Sequence, residues 1–199
     1  QRNTIRSLAE QNIRQSALSE IPTVDNINKW HHPKTLTELR QIKQFINSYD
    51  DSEVRDFLTV CFSDILTMST ARKGKDYGYF ADNTPLAKGE SAPPYQPAIE
   101  YFLERVKRNI GFTEQLYASL ERQDKNPETE LARAQVFHQD ITTLNPKDWG
   151  IKKHSASGII TSPPYLCMVD YTLGNRLSYY WLFPEELDAE FNKEIGSRR

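Results

Sequence analysis

The sequence predicts an α/β chain, with a large, mostly helical region over residues 1–130 and part of a parallel sheet over 131–199. Three observations lead there. Apolar residues recur at three- and four-residue steps through the first half. A polar stretch at 123–130, Gln-Asp-Lys-Asn-Pro-Glu-Thr-Glu, interrupts them. Beyond it, short apolar runs alternate with helical spacing.

The elements follow in order. Ile5, Leu8, Ile13 and Leu18 form a loose stripe that ends at Pro22, and 22–33 reads as a connector. Pro33 suits a first helical position, with Leu36, Leu39, Ile42 and Ile46 as the buried stripe behind it. Asp50 or Ser52 is expected to cap the next helix, which buries Val54, Phe57, Leu58, Cys61, Ile65 and Leu66 and ends near Ser69. Segment 71–97, rich in glycine and proline, reads as a long loop, either functional or disordered. A long helix follows, carrying Ile99, Phe102, Leu103, Val106, Ile110, Leu116 and Leu120 on one side, with Gly111 as a point of interruption. In the last third, 134–138 and 158–161 read as short strands, the second one buried. Leu173, Leu177, Tyr180 and Trp181 suggest a helix, and Pro184 starts another.

Composition excludes more than it assigns. The 199 residues carry 25 basic and 27 acidic side chains, a formal net charge of −2. A nucleic-acid contact must therefore come from local clusters. Apolar runs are too short to cross a bilayer, which argues against a membrane protein. Cys61 and Cys167 lack metal spacing and read as reduced thiols of a cytoplasmic protein. No CxxC or HExxH pattern is present, so no metal site is expected.

One segment carries chemistry. Ile159-Ile160-Thr161-Ser162-Pro163-Pro164-Tyr165 is an apolar run entering a proline-locked turn. Each proline fixes its own φ and holds the preceding residue extended. The carbonyls of Ser162 and Pro163 are each followed by a residue without an N–H, which leaves them free to accept from a ligand. A second Pro-Pro-Tyr, in Ser91-Ala92-Pro93-Pro94-Tyr95, lacks the apolar run and reads as a polyproline turn.

Thr161-Ser162-Pro163-Pro164-Tyr165 resembles motif IV of the DNA amino-methyltransferases, whose general form is (Asp/Asn/Ser)-Pro-Pro-(Tyr/Phe/Trp). The stretch from Ile160 to Leu182 is similar to a bacterial group in which Ser-Pro-Pro-Tyr is followed by an Asp-Tyr pair, here Asp170-Tyr171, and a Leu-rich helix. Stretches Trp30 to Leu39, Cys61 to Phe80 and Arg133 to Asp140 also look like that group. The resemblance implies a Rossmann-like methyltransferase sheet, S-adenosylmethionine as donor, double-stranded DNA as partner and a prokaryotic cytoplasmic setting. Ser162, Pro163, Pro164 and Tyr165 would be catalytic. Two acceptors can hold the hydrogens of an exocyclic amine and draw its lone pair out of the ring, while Tyr165 stacks on the extruded base. The Ser variant favours cytosine N4 over adenine N6.

Asp140 and Thr161 are the candidates for the donor side, Asp140 because the family places an acidic residue beside the donor's adenine. A plain strand-end cap through Thr142 is the alternative. Arg72, Lys73, Lys75 and Arg176 are candidates for DNA contact, against the alternative of solvated or self-packed cations. Asp170-Tyr171 either braces the catalytic loop or starts a helix. The family's glycine-rich donor turn is missing, since none of the eight glycines forms Gly-x-Gly. A second chain or further segment is expected to supply it. The competing reading is a non-catalytic DNA-binding or assembly module that keeps the loop as a scaffold.

Overall fold

A computed structural model describes residues 2–24, 27–70, 93–137, 139–140, 143, 145, 150, 152, 154–163 and 171–193. Nine helices appear among them: α1 (Arg2–Gln15), α2 (Ile27–Trp30), α3 (Pro33–Asn47), α4 (Ser52–Met68), α5 (Ala98–Glu121), α6 (Pro127–Leu131), α7 (Tyr171–Gly174), α8 (Arg176–Leu182) and α9 (Leu187–Lys193). The chain divides into two compact units. One comprises Gln1–Gly111 with Tyr165–Arg199, the other Phe112–Pro164.

In the first unit, α3 starts with Pro33 at its first position, and the His32 ring accepts from the Lys34 amide at 3.1 Å. Its stripe of Leu36, Leu39, Ile42 and Ile46 is buried as the spacing requires. The cap of α4 is Asp51, between the two residues expected, and its carboxylate accepts from the Glu53 and Val54 amides. Leu58, Cys61, Phe62, Ile65 and Leu66 face inward, whereas Val54 is exposed. Ile99 and Phe102 of α5 and Leu177 and Trp181 of α8 complete the core. Arg105 of α5 pairs with Asp64 of α4 at 2.7 Å, and Arg6 of α1 pairs with Glu104 of α5.

The helix α5 runs through Gly111 without interruption and ends at Glu121, and beyond it Asp124, with a positive φ of 56°, lets the Lys125 amide reach back to the Leu120 carbonyl at 3.1 Å. The expected linker at 123–130 contains the start of α6, where Asn126 accepts from the Thr129 amide and Pro127 opens the helix.

The α/β expectation is overturned. The described residues contain no strand and therefore no Rossmann-like sheet. The run expected to be a buried strand is open to solvent, with Ile159 86% and Ile160 104% exposed, and Val136 in the other expected strand is 96% exposed. The reason is physical. A helix satisfies its backbone within itself, but a strand exists only where a neighbour completes its ladder. An apolar β-rich pattern does not provide that neighbour. The expected single helix around Leu173 to Trp181 is also divided, as α7 and α8 meet at Asn175. Residues 71–92, most of the expected loop, lie outside the described residues.

Candidate functional site

The loop singled out by the sequence is described as far as Pro163. Thr161, Ser162 and Pro163 are exposed and have no regular structure, while Pro164 and Tyr165 lie outside the described residues. The division between the two units falls within this motif, after Pro164. Asp140, in the second unit, is exposed. Its carbonyl accepts from both the amide and the hydroxyl of Thr143, at 3.1 and 3.2 Å, which makes a local turn. Thr142, the cap partner expected from the sequence, lies outside the described residues. Arg72, Lys73 and Lys75 fall outside the described residues.

Arg176, in the first unit, is half-buried at the start of α8. Its guanidinium carbon lies 5.2 Å from the centre of the Trp30 ring, within cation–π range. Trp30 also meets Tyr180 at 5.8 Å. The rest of α8 is tied to α3 and α4. Trp181 packs edge-on against Phe62 at 5.7 Å, Ser178 shares a 2.7 Å hydrogen bond with Ser63, and the Lys43 ammonium donates to the Trp181 carbonyl at 2.6 Å. Burial holds the Lys43 ammonium below the usual lysine range, with Glu20 opposing that shift. A cation at the carbonyl end of a helix is also favoured by the helix dipole. The helix α8, which follows the candidate loop in sequence, is thereby fixed to α3 and α4.

The second Pro-Pro-Tyr has a different use. The Tyr95 hydroxyl donates to Glu38 at 2.6 Å, and Lys34 lies 4.2 Å over its ring. The other Glu38 oxygen accepts from the Ile99 amide in the first turn of α5 at 3.2 Å, and Arg14 stands 3.7 Å from the oxygen that Tyr95 holds. Thr35 exchanges hydrogen bonds with both the carbonyl and the amide of Gln96. Burial and the Glu38 carboxylate push the Tyr95 phenol up to about 12. This cluster joins α3 to the start of α5. Sequence reading missed Glu38, although a signal was present: Glu38 lies on the same stripe as Thr35, Leu39 and Ile42, where an acidic residue needs partners.

His31 is fully buried. Its Nδ1 lies 2.9 Å from the Ser69 carbonyl, which can only accept, so Nδ1 carries the proton and Nε2 is left as an acceptor with no hydrogen-bond partner. Burial depresses its pKa to about 4, against the Ser69 hydrogen bond. Burial likewise raises the Cys61 thiol, with the Asn109 hydrogen bond opposing that shift. Among the described residues no group of His, Cys, Asp and Glu gathers as a metal site, and no helix is long and apolar enough to cross a membrane.

The chain is similar to the type II methyltransferase M.MvaI of Kocuria varians, with 24% identity over 170 residues. The match covers 83% of this chain and 35% of the relative, so the chain spans about a third of that protein's length. No family model matches the chain. No solved structure matches it.

Proposed function

We propose that the chain is the target-base part of a DNA amino-methyltransferase that modifies an exocyclic amine, cytosine N4 in preference to adenine N6. The observation that carries this reading is the sequence Thr161-Ser162-Pro163-Pro164-Tyr165 after an apolar run, and the similarity to a type II methyltransferase supports it independently.

The roles follow from the chemistry of the acceptor. An exocyclic amine is a poor nucleophile because its lone pair is delocalised into the ring. Carbonyls of Ser162 and Pro163, or the Ser162 hydroxyl, accept its two hydrogens and turn the lone pair towards an incoming methyl group. Tyr165 stacks on the extruded base, and the flanking prolines keep the acceptors stiff before the base arrives. Arg72, Lys73, Lys75 and Arg176 hold the DNA backbone. S-adenosylmethionine supplies the methyl group.

The residues present do not complete a donor site. Thr161 and the carboxylate-bearing Asp140 are exposed, and the sequence has no Gly-x-Gly turn for the methionine end. A second chain or a further segment carries that turn, and Asp140 and Thr161 border the donor when it is supplied. The test is to methylate duplex DNA with the completed enzyme and digest the product to nucleosides. N4-methylcytosine is the expected product. N6-methyladenine would overturn the target preference, and no methylated base at all would overturn the enzymatic reading in favour of a binding module.

A further inference from the structure

We infer that Ile159 and Ile160 form the surface on which the donor-bearing part of the enzyme docks, an inference that rests on the DNA-methyltransferase reading above. The second unit has little core of its own. Among its described residues Pro127 is the one that is buried, while Leu116, Leu131, Val136, Ile159 and Ile160 are exposed. A unit with its aliphatic side chains in water lacks the burial that offsets the entropy of ordering a chain. A single exposed apolar residue needs no explanation, but two adjacent isoleucines at 86% and 104% do.

The position of the pair decides what covers it. Ile160 stands two residues before Ser162, whose carbonyl, with that of Pro163, holds the target amine in the proposed reaction. Two residues of chain span at most about 7 Å. Transfer brings the methyl carbon to roughly 3–3.5 Å from the amine nitrogen. The part that carries the donor therefore lies beside Ile160. DNA does not suit this surface, because the run Ala156-Ser157-Gly158-Ile159-Ile160-Thr161 has no charge to meet a phosphate. The match to M.MvaI covers 35% of that protein, so most of the relative has no counterpart here and is long enough to hold such a part. Docking on the two isoleucines orders the run that leads into the proline-locked turn, and so joins the donor and the Ser162 and Pro163 acceptors in one site.

The experiment follows backbone hydrogen exchange over residues 156–162, in the chain alone and in the completed enzyme without DNA. These amides should exchange as in an open chain when the chain is alone, and at least tenfold more slowly in the completed enzyme. Ile159→Ser and Ile160→Ser should each leave the thermal melt of the chain alone unchanged, because both side chains are already in water. Each should lower the thermal midpoint of the completed enzyme by several degrees, since there the lost surface is buried. Ile159→Val keeps most of that surface and should shift the midpoint far less. Equal exchange in the two states, or a completed enzyme whose midpoint ignores both serine variants, would overturn the inference. Protection already present in the chain alone, with a dimer by sedimentation, would assign the surface to a second copy and overturn it too. Methylation by a completed enzyme in which 156–162 stays unprotected would overturn the inference and leave the proposed function standing. Protection of 156–162 in a completed enzyme that methylates no base would support the docking surface and overturn the proposed function.

Discussion

Glu38 shows how much one buried carboxylate can organise. It is 2% exposed and holds the Tyr95 hydroxyl and the Ile99 amide at once. Glu38→Ala strands both donors and should cost about 2–3 kcal/mol, whereas Tyr95→Phe loses one hydrogen bond and should cost about 1 kcal/mol. Denaturant midpoints measured at constant slope will check both values. His31 gives a pH dependence of known sign. Its folded pKa, about 4, lies below the ordinary 6.5, so the unfolded chain binds the proton more tightly. The stability contributed by neutral His31 is therefore complete above pH 6.5 and is lost as pH falls from 6.5 towards 4, by on the order of 3 kcal/mol. His31→Gln, which keeps a donor for the Ser69 carbonyl but does not titrate, should flatten that part of the stability profile. A profile that keeps its slope in the variant would assign the effect to other groups. The role of His31 was not legible in the sequence. A histidine's partner here is a carbonyl 38 positions away, and only the fold brings the two together.

At the scale of elements, helices were legible because their determinants are local. The stripe in α3 is written within a few residues of where it acts, whereas the α4 cap, Asp51, fell between the two residues expected and α6 lies in a stretch expected to be a linker. Asp51→Ala should destabilise α4 by about 1 kcal/mol, measurable as a lowered thermal midpoint, whereas Asp50→Ala should change little. The strands failed for the converse reason. Val136, Ile159 and Ile160 have strand-like patterns, but a ladder is a relation between segments, and no ladder forms among the described residues. The candidate loop is a reading of the sequence alone, from two prolines that fix their own φ, and its Pro164 and Tyr165 lie outside the described residues. What the sequence did not disclose is that α8, after the loop, joins the core of the N-terminal helices.

For the whole molecule, the similarity to a protein more than twice as long and the lack of a Gly-x-Gly turn lead to one expectation. The isolated chain should bind S-adenosylmethionine weakly or not at all by calorimetry, and micromolar affinity, about 8 kcal/mol, would contradict the assignment of the donor turn to another segment. The central claim, that Tyr165 rather than Tyr95 receives the target base, has a direct test in the completed enzyme. Incorporation of tritiated methyl groups into duplex DNA should fall by roughly ten- to a hundredfold for Tyr165→Ala, the worth of one base–aromatic stack. Tyr165→Phe should retain most activity, because the ring face matters more than the hydroxyl. Tyr95→Phe should leave methylation unchanged while lowering stability. Equal losses for Tyr165→Ala and Tyr95→Phe, or no loss for Tyr165→Ala, would contradict the assignment of the Thr161–Tyr165 loop to the target base.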